Sequence, residues 1–184
     1  MLSLKHVAQL TYNTLQLYMD QRGIDLAVGP ISDRDANTLT KAYGELNWEY
    51  YITEVGNRHD CFSLCIKFVI SRENLQIESA PAGVALSTYD LHDKSFNIHV
   101  LENFVKDTEN HPLHRKMLLY TLYAALIFMN VVDGEDVRIH EPVKDKIAYY
   151  RSFGFELERC GYVMSCDIKT LTAKLKSRSK ELVL

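Results

Sequence analysis

Residues 118–132 form the most apolar run of the chain, broken by Thr121 and Asn130 and by two tyrosines. The run falls short of the about 20 apolar residues that span a bilayer. It therefore reads as a helix that needs protein on several sides. Leu118, Leu122, Ala125, Leu126 and Met129 form its core stripe. A helix this apolar calls for a sheet and further helices to cover it. The 184 residues suffice for one such unit, at about 100–200 residues per domain. Hydrophobic residues at 47% and charged residues at 24% are the balance of an ordinary globular chain, which excludes a disordered one.

Periodicity supplies the other layers. Leu4, Val7, Ala8, Leu15 and Tyr18 recur at helical spacing over residues 3–20, and Gly23 ends that helix. A short strand comes next, over 24–28. Ser32 then caps a second helix, with Asp35 at its third position, and Ala36, Leu39, Tyr43 and Leu46 on one face. This helix continues or restarts through 48–51. Strands are predicted over 62–70, 83–89 and 95–104, the last two joined as a hairpin by the polar link 90–94. In the last of these, Phe96, Ile98 and Val100 alternate with Asn97, His99 and Leu101. Pro112 suits the first turn of the apolar helix and Gly134 its end. A strand over 136–140, a helix from Pro142 to Gly154, two strands over 155–159 and 162–168, and a solvated helical tail with Lys174, Lys176, Arg178 and Lys180 complete the chain. A strand–helix–strand unit after an antiparallel meander implies a mixed sheet with helices on both faces.

Charge and cysteine usage narrow the function. Lys and Arg number 21 against 24 Asp and Glu, a net charge of −3. With no basic excess to neutralise a phosphate backbone, a dedicated nucleic-acid binder is not expected. The opening residues carry Lys5, His6 and Gln9 in place of an apolar signal core. Cys61, Cys65, Cys160 and Cys166 lack zinc-ribbon spacing and read as four buried thiols in a reducing cytoplasm. No metal is expected. His111 and His114 are three apart with no Cys or carboxylate pattern to complete a site, and His59-Asp60-Cys61 is not expected to act as a nucleophile with its base.

Two local signatures then carry a resemblance. Residues 146–156 read K-I-A-Y-Y-R-S-F-G-F-E, with Tyr150 four residues before Gly154. This is similar to the A-x-x-x-Y-x-x-x-G-F-E helix motif of the GNAT-type N-acetyltransferase superfamily, with Lys146 in the alanine position and Val143 near the usual asparagine. Asp25-Leu26-Ala27-Val28 followed by Ile31-Ser32-Asp33 and Asp35-Ala36 resembles the family's first strand and helix. The resemblance covers about residues 24–168. It implies an α/β (α+β) class with a mixed, mostly antiparallel central sheet flanked by helices on both faces. Residues 1–22 are then an N-terminal helical extension, 24–168 the core and 169–184 a C-terminal helical tail of one domain. The extension is free to cap the cleft or to pack against a partner chain as a homodimer.

The resemblance also implies a function: acyl-CoA-dependent N-acyl transfer, with acetyl-CoA as co-substrate and an amine of a small molecule or protein as acceptor. The family's pyrophosphate loop, Q/R-x-x-G-x-G/A, finds its best register at Arg115, with Leu118 and Tyr120 where small residues belong. Glycine suits those positions because a side chain would screen the backbone N–H groups from phosphate. His114, Arg115, Lys116 and Leu118 are the loop residues expected at the cofactor, and Val100 and Leu101 its backbone contacts on the strand over 95–104. Tyr150 is the expected acid for the leaving thiolate, since a phenol of pKa about 10 can protonate it. His99 is the first candidate base, because imidazole titrates near neutrality; Glu102 is the second. Trp48, Tyr50 and Tyr51 are divided between core packing and an acceptor pocket. The missing loop glycines leave two alternatives: a non-catalytic binding or interaction module on the same fold, and a transferase drawing on an acyl carrier protein.

Overall fold

The computed structural model describes residues 2–70 and 80–181. Most of the polar stretch before Pro81, and the Lys180 side chain, lie outside the described residues.

Helix α1 (Leu4–Gln21) starts where the Ser3 hydroxyl accepts the His6 N–H, and it buries Val7, Ala8, Leu15 and Met19 along one face. Strand β1 (Ala27–Gly29) is shorter than its apolar stretch. Helix α2 (Asp33–Thr38) opens on a reciprocal capping box between Ser32 and Asp35. Burial pushes the Asp35 carboxyl up, but the Lys67 ammonium at 2.6 Å and the Ser32 donors outweigh it and hold the group below its usual range. The chain then runs through a π-helical turn over Leu39–Tyr43, a short helix α3 (Trp48–Tyr50) and a second π turn over Tyr51–Val55.

Strands β2 (Cys61–Val69), β3 (Gly83–Asp90) and β4 (Ser95–Asn103) form the expected meander. Helix α4 (Met117–Val132) crosses over to β5 (Asp136–His140), which lies parallel to β4. Helix α5 (Ile147–Arg151), strands β6 (Glu156–Leu157) and β7 (Val163–Asp167), and helix α6 (Ile168–Glu181) complete the order. The seven-stranded sheet has the order β1-β2-β3-β4-β5-β7-β6. Among the described residues only the β4–β5 pair is parallel; the other pairs are antiparallel.

The apolar helix sits where its sequence requires. Phe128 on α4 is fully buried, with Phe62, Tyr89 and Phe96 rings at 6.0, 5.4 and 5.8 Å. Helices α1, α4 and α6 share that face of the sheet. The opposite face packs Leu39 and Trp48 against Val84, Leu86 and Val100.

Four local expectations are corrected. Helix α4 begins at Met117, not near Pro112, because residues 105–116 wind through successive turns, with Arg115 at φ 55°. Its end is Asp133, which takes the left-handed conformation expected of Gly134. The tail is not solvated throughout, since Leu171 and Leu175 of α6 are buried in the core. Of the four free thiols only Cys166 is buried; Cys61 and Cys65 are half-buried and Cys160 is exposed.

Candidate active site

The alternation along β4 breaks at His99. Leu86 of β3 pairs with Val100, and the next residue, Ser87, pairs with Ile98, so His99 is an extra residue. Such a bulge bends its strand and reverses the facing of the residues beyond it. Phe96 and Ile98 accordingly join the α4 side of the core, whereas Val100 joins the α2–α3 side. The parallel pairing with β5 ends at Ile98 and Ile139, just short of the bulge. Beyond that point β4 and β5 part.

The parting leaves a cavity of about 240 Å³ bounded by Ile98, Val100 and Leu101 on one strand and by Ile139 and His140 on the other. Tyr150 and Val143 close a further side. Val100 and Leu101 pair with Leu86 and Ala85. Antiparallel pairing alternates the direction of backbone groups, so one of these two residues turns its N–H away from β3, toward the gap. The short helix α5, stopped by Gly154 at φ 95°, presents Tyr150 half-buried against the core. Burial raises the Tyr150 phenol above its ordinary value, and the Val143 backbone opposes that shift. The hydroxyl is therefore protonated at neutral pH and able to donate. Leu118 and Tyr120 do not plug the gap: both side chains are buried on the inner face of α4, and Tyr120 lies 6.2 Å from the Phe68 ring.

The loop before α4 lies at the end of β4, tied there by Asn103 Nδ2 donating to the Leu113 carbonyl at 3.2 Å. Arg115 and Lys116 are exposed and His114 is half-buried, with its Nδ1 buried and unpartnered. The first backbone bond onto α4 runs from Tyr120 N–H to the Lys116 carbonyl, so the N–H groups of Met117, Leu118 and Leu119 in its first turn are the helix's open donors. Leu118 offers a ligand its backbone alone. Its bulk does not screen the turn, because the helix directs this side chain inward. Leu113, fully buried against Gly83, fills space there instead.

The catalytic candidates separate. Glu102 lies on the α2–α3 side, where its carboxylate accepts the Trp48 indole N–H at 2.5 Å and the Glu45 backbone N–H. A Cβ on Gly44 would run into it. It clamps the turn between α2 and α3 to the sheet and stands outside the β4–β5 gap. Trp48 is core, while Tyr50 and Tyr51 line a second cavity.

His99 does line the gap, and it has a partner that sequence reasoning missed. Its ring lies 4.6 Å from that of His140, tilted by 30°. Its Nε2 is 2.8 Å from the Thr88 hydroxyl. Burial, then His140 and Arg58, push its pKa down to about 4. Burial, then Arg138, also lower His140, against Glu158 and Glu141. Both rings are neutral near pH 7. The signal for His140 was the parallel register: once Ile98 opposes Ile139, the next residues of the two strands adjoin. That register is invisible before the sheet order is known. Away from the gap, Asp60, Cys61 and Asp90 bring their ligand atoms within 4.8 Å of one another, with Asp60 already held by Arg58.

No protein-family profile and no curated protein sequence matches this chain. Solved structures do. The chain is similar to an acetyl-CoA-bound structure named AtaTR, with 12% identity, a TM-score of 0.57 and coverage of 81% of this chain and 97% of that one. It is similar to the ribosomal-protein-S18-alanine N-acetyltransferase of Escherichia coli, at 11% identity and a TM-score of 0.52 over 78% of this chain and 94% of that one. This chain has the GNAT-type fold. An uncharacterized protein from Bacillus halodurans shares it at 11% identity and a TM-score of 0.55, over 82% of this chain and 88% of that one. At these identities the likeness establishes the GNAT-type architecture, with α1 added before it. Among the described residues no helix is long and apolar enough to cross a membrane.

Proposed function

We propose that the chain is an acyl-CoA-dependent N-acyltransferase that moves an acetyl group to an amine of a small molecule or protein. The observation that carries this reading is the parting of β4 and β5 beyond Ile98 and Ile139, which opens beside Tyr150. A pantetheine arm laid in that gap would meet a free backbone N–H of Val100 or Leu101. Its thioester oxygen gains a donor there as charge develops. The pyrophosphate would lie toward the first turn of α4, where open N–H donors and the exposed Arg115 and Lys116 just before it favour an anion. His114 flanks that turn. Tyr150 gives its proton to the leaving thiolate, and the imidazoles of His99 and His140 lie where the amine must lose one. Acetyl-CoA in the AtaTR structure supports the same use of the fold here.

Calorimetry with CoA tests the proposal. We expect micromolar binding that weakens when Arg115 and Lys116 are replaced by alanine. Absence of binding at millimolar CoA would retire the transferase. A second reading, a binding module on the same fold, is favoured by the glycine-free loop and its buried Leu113. It predicts CoA binding absent or unproductive, with no thiol released from acetyl-CoA in the presence of amines.

A further inference from the structure

Beside the β4–β5 gap lies a cavity of about 330 Å³ whose walls include Tyr50, Tyr51, Glu54, His99, His140 and Glu141. It shares Tyr51, His99, His140 and Glu141 with the gap, so the two spaces meet at the histidine pair. We propose that this second cavity receives the acceptor as a primary ammonium on a short apolar or aromatic stem, and that Nδ1 of His140 takes its proton. The inference rests on the acyl-transfer reading and deepens it.

The assignment of the atom comes from a chain of donors. Asn97 Nδ2 donates to the Ser95 carbonyl at 3.2 Å and meets the Ser95 hydroxyl at 3.0 Å. A carbonyl can only accept, so the Asn97 amide is oriented with Oδ1 away from Ser95. That Oδ1 faces His140 Nε2 at 2.8 Å, and Nε2 must carry the hydrogen. In a neutral ring the lone pair then belongs to Nδ1. Among the described residues Nδ1 makes no hydrogen bond and is not among the buried unpartnered atoms, so it keeps solvent access on a residue that lines the cavity. Asn97 is a positioning residue: it acts on the reaction through the tautomer of His140. His99, packed against His140 and bonded to Thr88, holds the ring in place.

The charges suit a cation on an apolar stem. Glu54 and Glu141 are the carboxylates of the cavity, and its one guanidinium, Arg58, is engaged with Asp60 at 3.0 Å. Glu141 is held at φ 47°, an uncommon state for a residue with a Cβ, by its N–H bond to the Tyr162 carbonyl at 2.7 Å. Backbone held this way clusters at functional sites. The Tyr50 and Tyr51 rings, 5.5 Å apart, offer edges and faces to the stem.

The step balances. One N–H bond of the ammonium breaks and Nδ1–H forms. The freed lone pair makes the C–N bond, and the C–S bond breaks. Tyr150 protonates the thiolate, the second amine proton restores the phenol through solvent, and His140 returns its proton to water.

Two-bond proton–nitrogen spectra of the full chain with ¹⁵N-labelled histidine test this, with His140→Gln and His99→Gln for assignment. His140 is expected as the neutral Nε2–H tautomer. Asn97→Asp keeps that tautomer and Asn97→Leu loses it; should the leucine variant fail to fold, the wild type and Asn97→Asp still decide. Phenethylamine at millimolar concentration is expected to move the His99 and His140 rings, while phenylacetate, of like shape and opposite charge, leaves them. An Nδ1–H tautomer at His140, rings indifferent to the amine, or an equal response to the acid overturns the proposal. CoA calorimetry on the same samples separates the two readings. CoA bound with no amine response retires this site alone. An amine response without CoA binding retires acyl transfer and leaves the amine site standing.

Discussion

Acidification should destabilise this protein through His99, by an amount that its surroundings set. The ring titrates at about 4 in the folded chain against an ordinary 6.5, because burial, His140 and Arg58 all oppose its charge. Between those two values the unfolded chain binds the proton that the folded chain refuses. Stability is therefore whole above about pH 6.5 and is lost as pH falls toward the folded value. Each pH unit in that window removes about 1.4 kcal/mol. At about pH 5 the loss from this ring alone reaches about 2 kcal/mol. For a chain of this length that is about 4–8 °C of melting temperature. Other groups titrate too, so the quantity to measure is a difference: urea unfolding of the wild type and of His99→Gln at about pH 8 and about pH 5. The wild type should lose about 2 kcal/mol more than the variant across that interval. Equal losses would mean that the ring charges freely in the folded state, and the neutral histidine pair at the gap would be refuted.

Other perturbations probe the gap and the core separately. Tyr150→Phe should leave CoA affinity intact and lower acetyl transfer by about tenfold or more, the scale of one general acid; unchanged turnover removes the phenol from the chemistry. Glu102→Ala orphans the Trp48 indole N–H and the Glu45 amide, so it should cost about 1–3 kcal/mol in urea unfolding; a neutral change would show that the clamp carries no load. Phe128→Ala empties the centre of an aromatic cluster and should cost about 3–5 kcal/mol in the same measurement. CoA at about 100 times its dissociation constant should add about 2.7 kcal/mol, read as a rise in melting temperature.

What was legible in the chain was whatever short-range physics determines. Ser32 caps its helix as read, because a hydroxyl before a periodic run can accept a free N–H of the first turn. The run at residues 118–132 had to be an interior helix, and it is. Gly154 ends its helix as read, at positive φ, and Gly161 turns the chain between the last two strands. The site was harder because it depends on how distant strands lie against each other. Strict alternation puts Val100 on the face of Ile98; the bulge at His99 moves it to the other face. Glu102 sits near the right strand end, but that same reversal delivers it to Trp48 instead of the gap. His140 closes a short strand that carries no site reading on its own, and only its register beside β4 gives it a partner. Leu118 reads from sequence both as part of the apolar helix's core stripe and as a loop side chain at the cofactor; the helix, starting at Met117, keeps it in the core.

Whether the gap between β4 and β5 seats a pantetheine arm is decided most directly by a crystal structure of the full chain grown with CoA. The arm is predicted between the two strands, its amides along Val100 and Leu101, its sulfur beside Tyr150 and its pyrophosphate at the turn of Arg115 and Lys116. CoA bound elsewhere on the surface, or a gap that stays closed to it at millimolar concentration, would contradict that placement and the acyl transfer built on it.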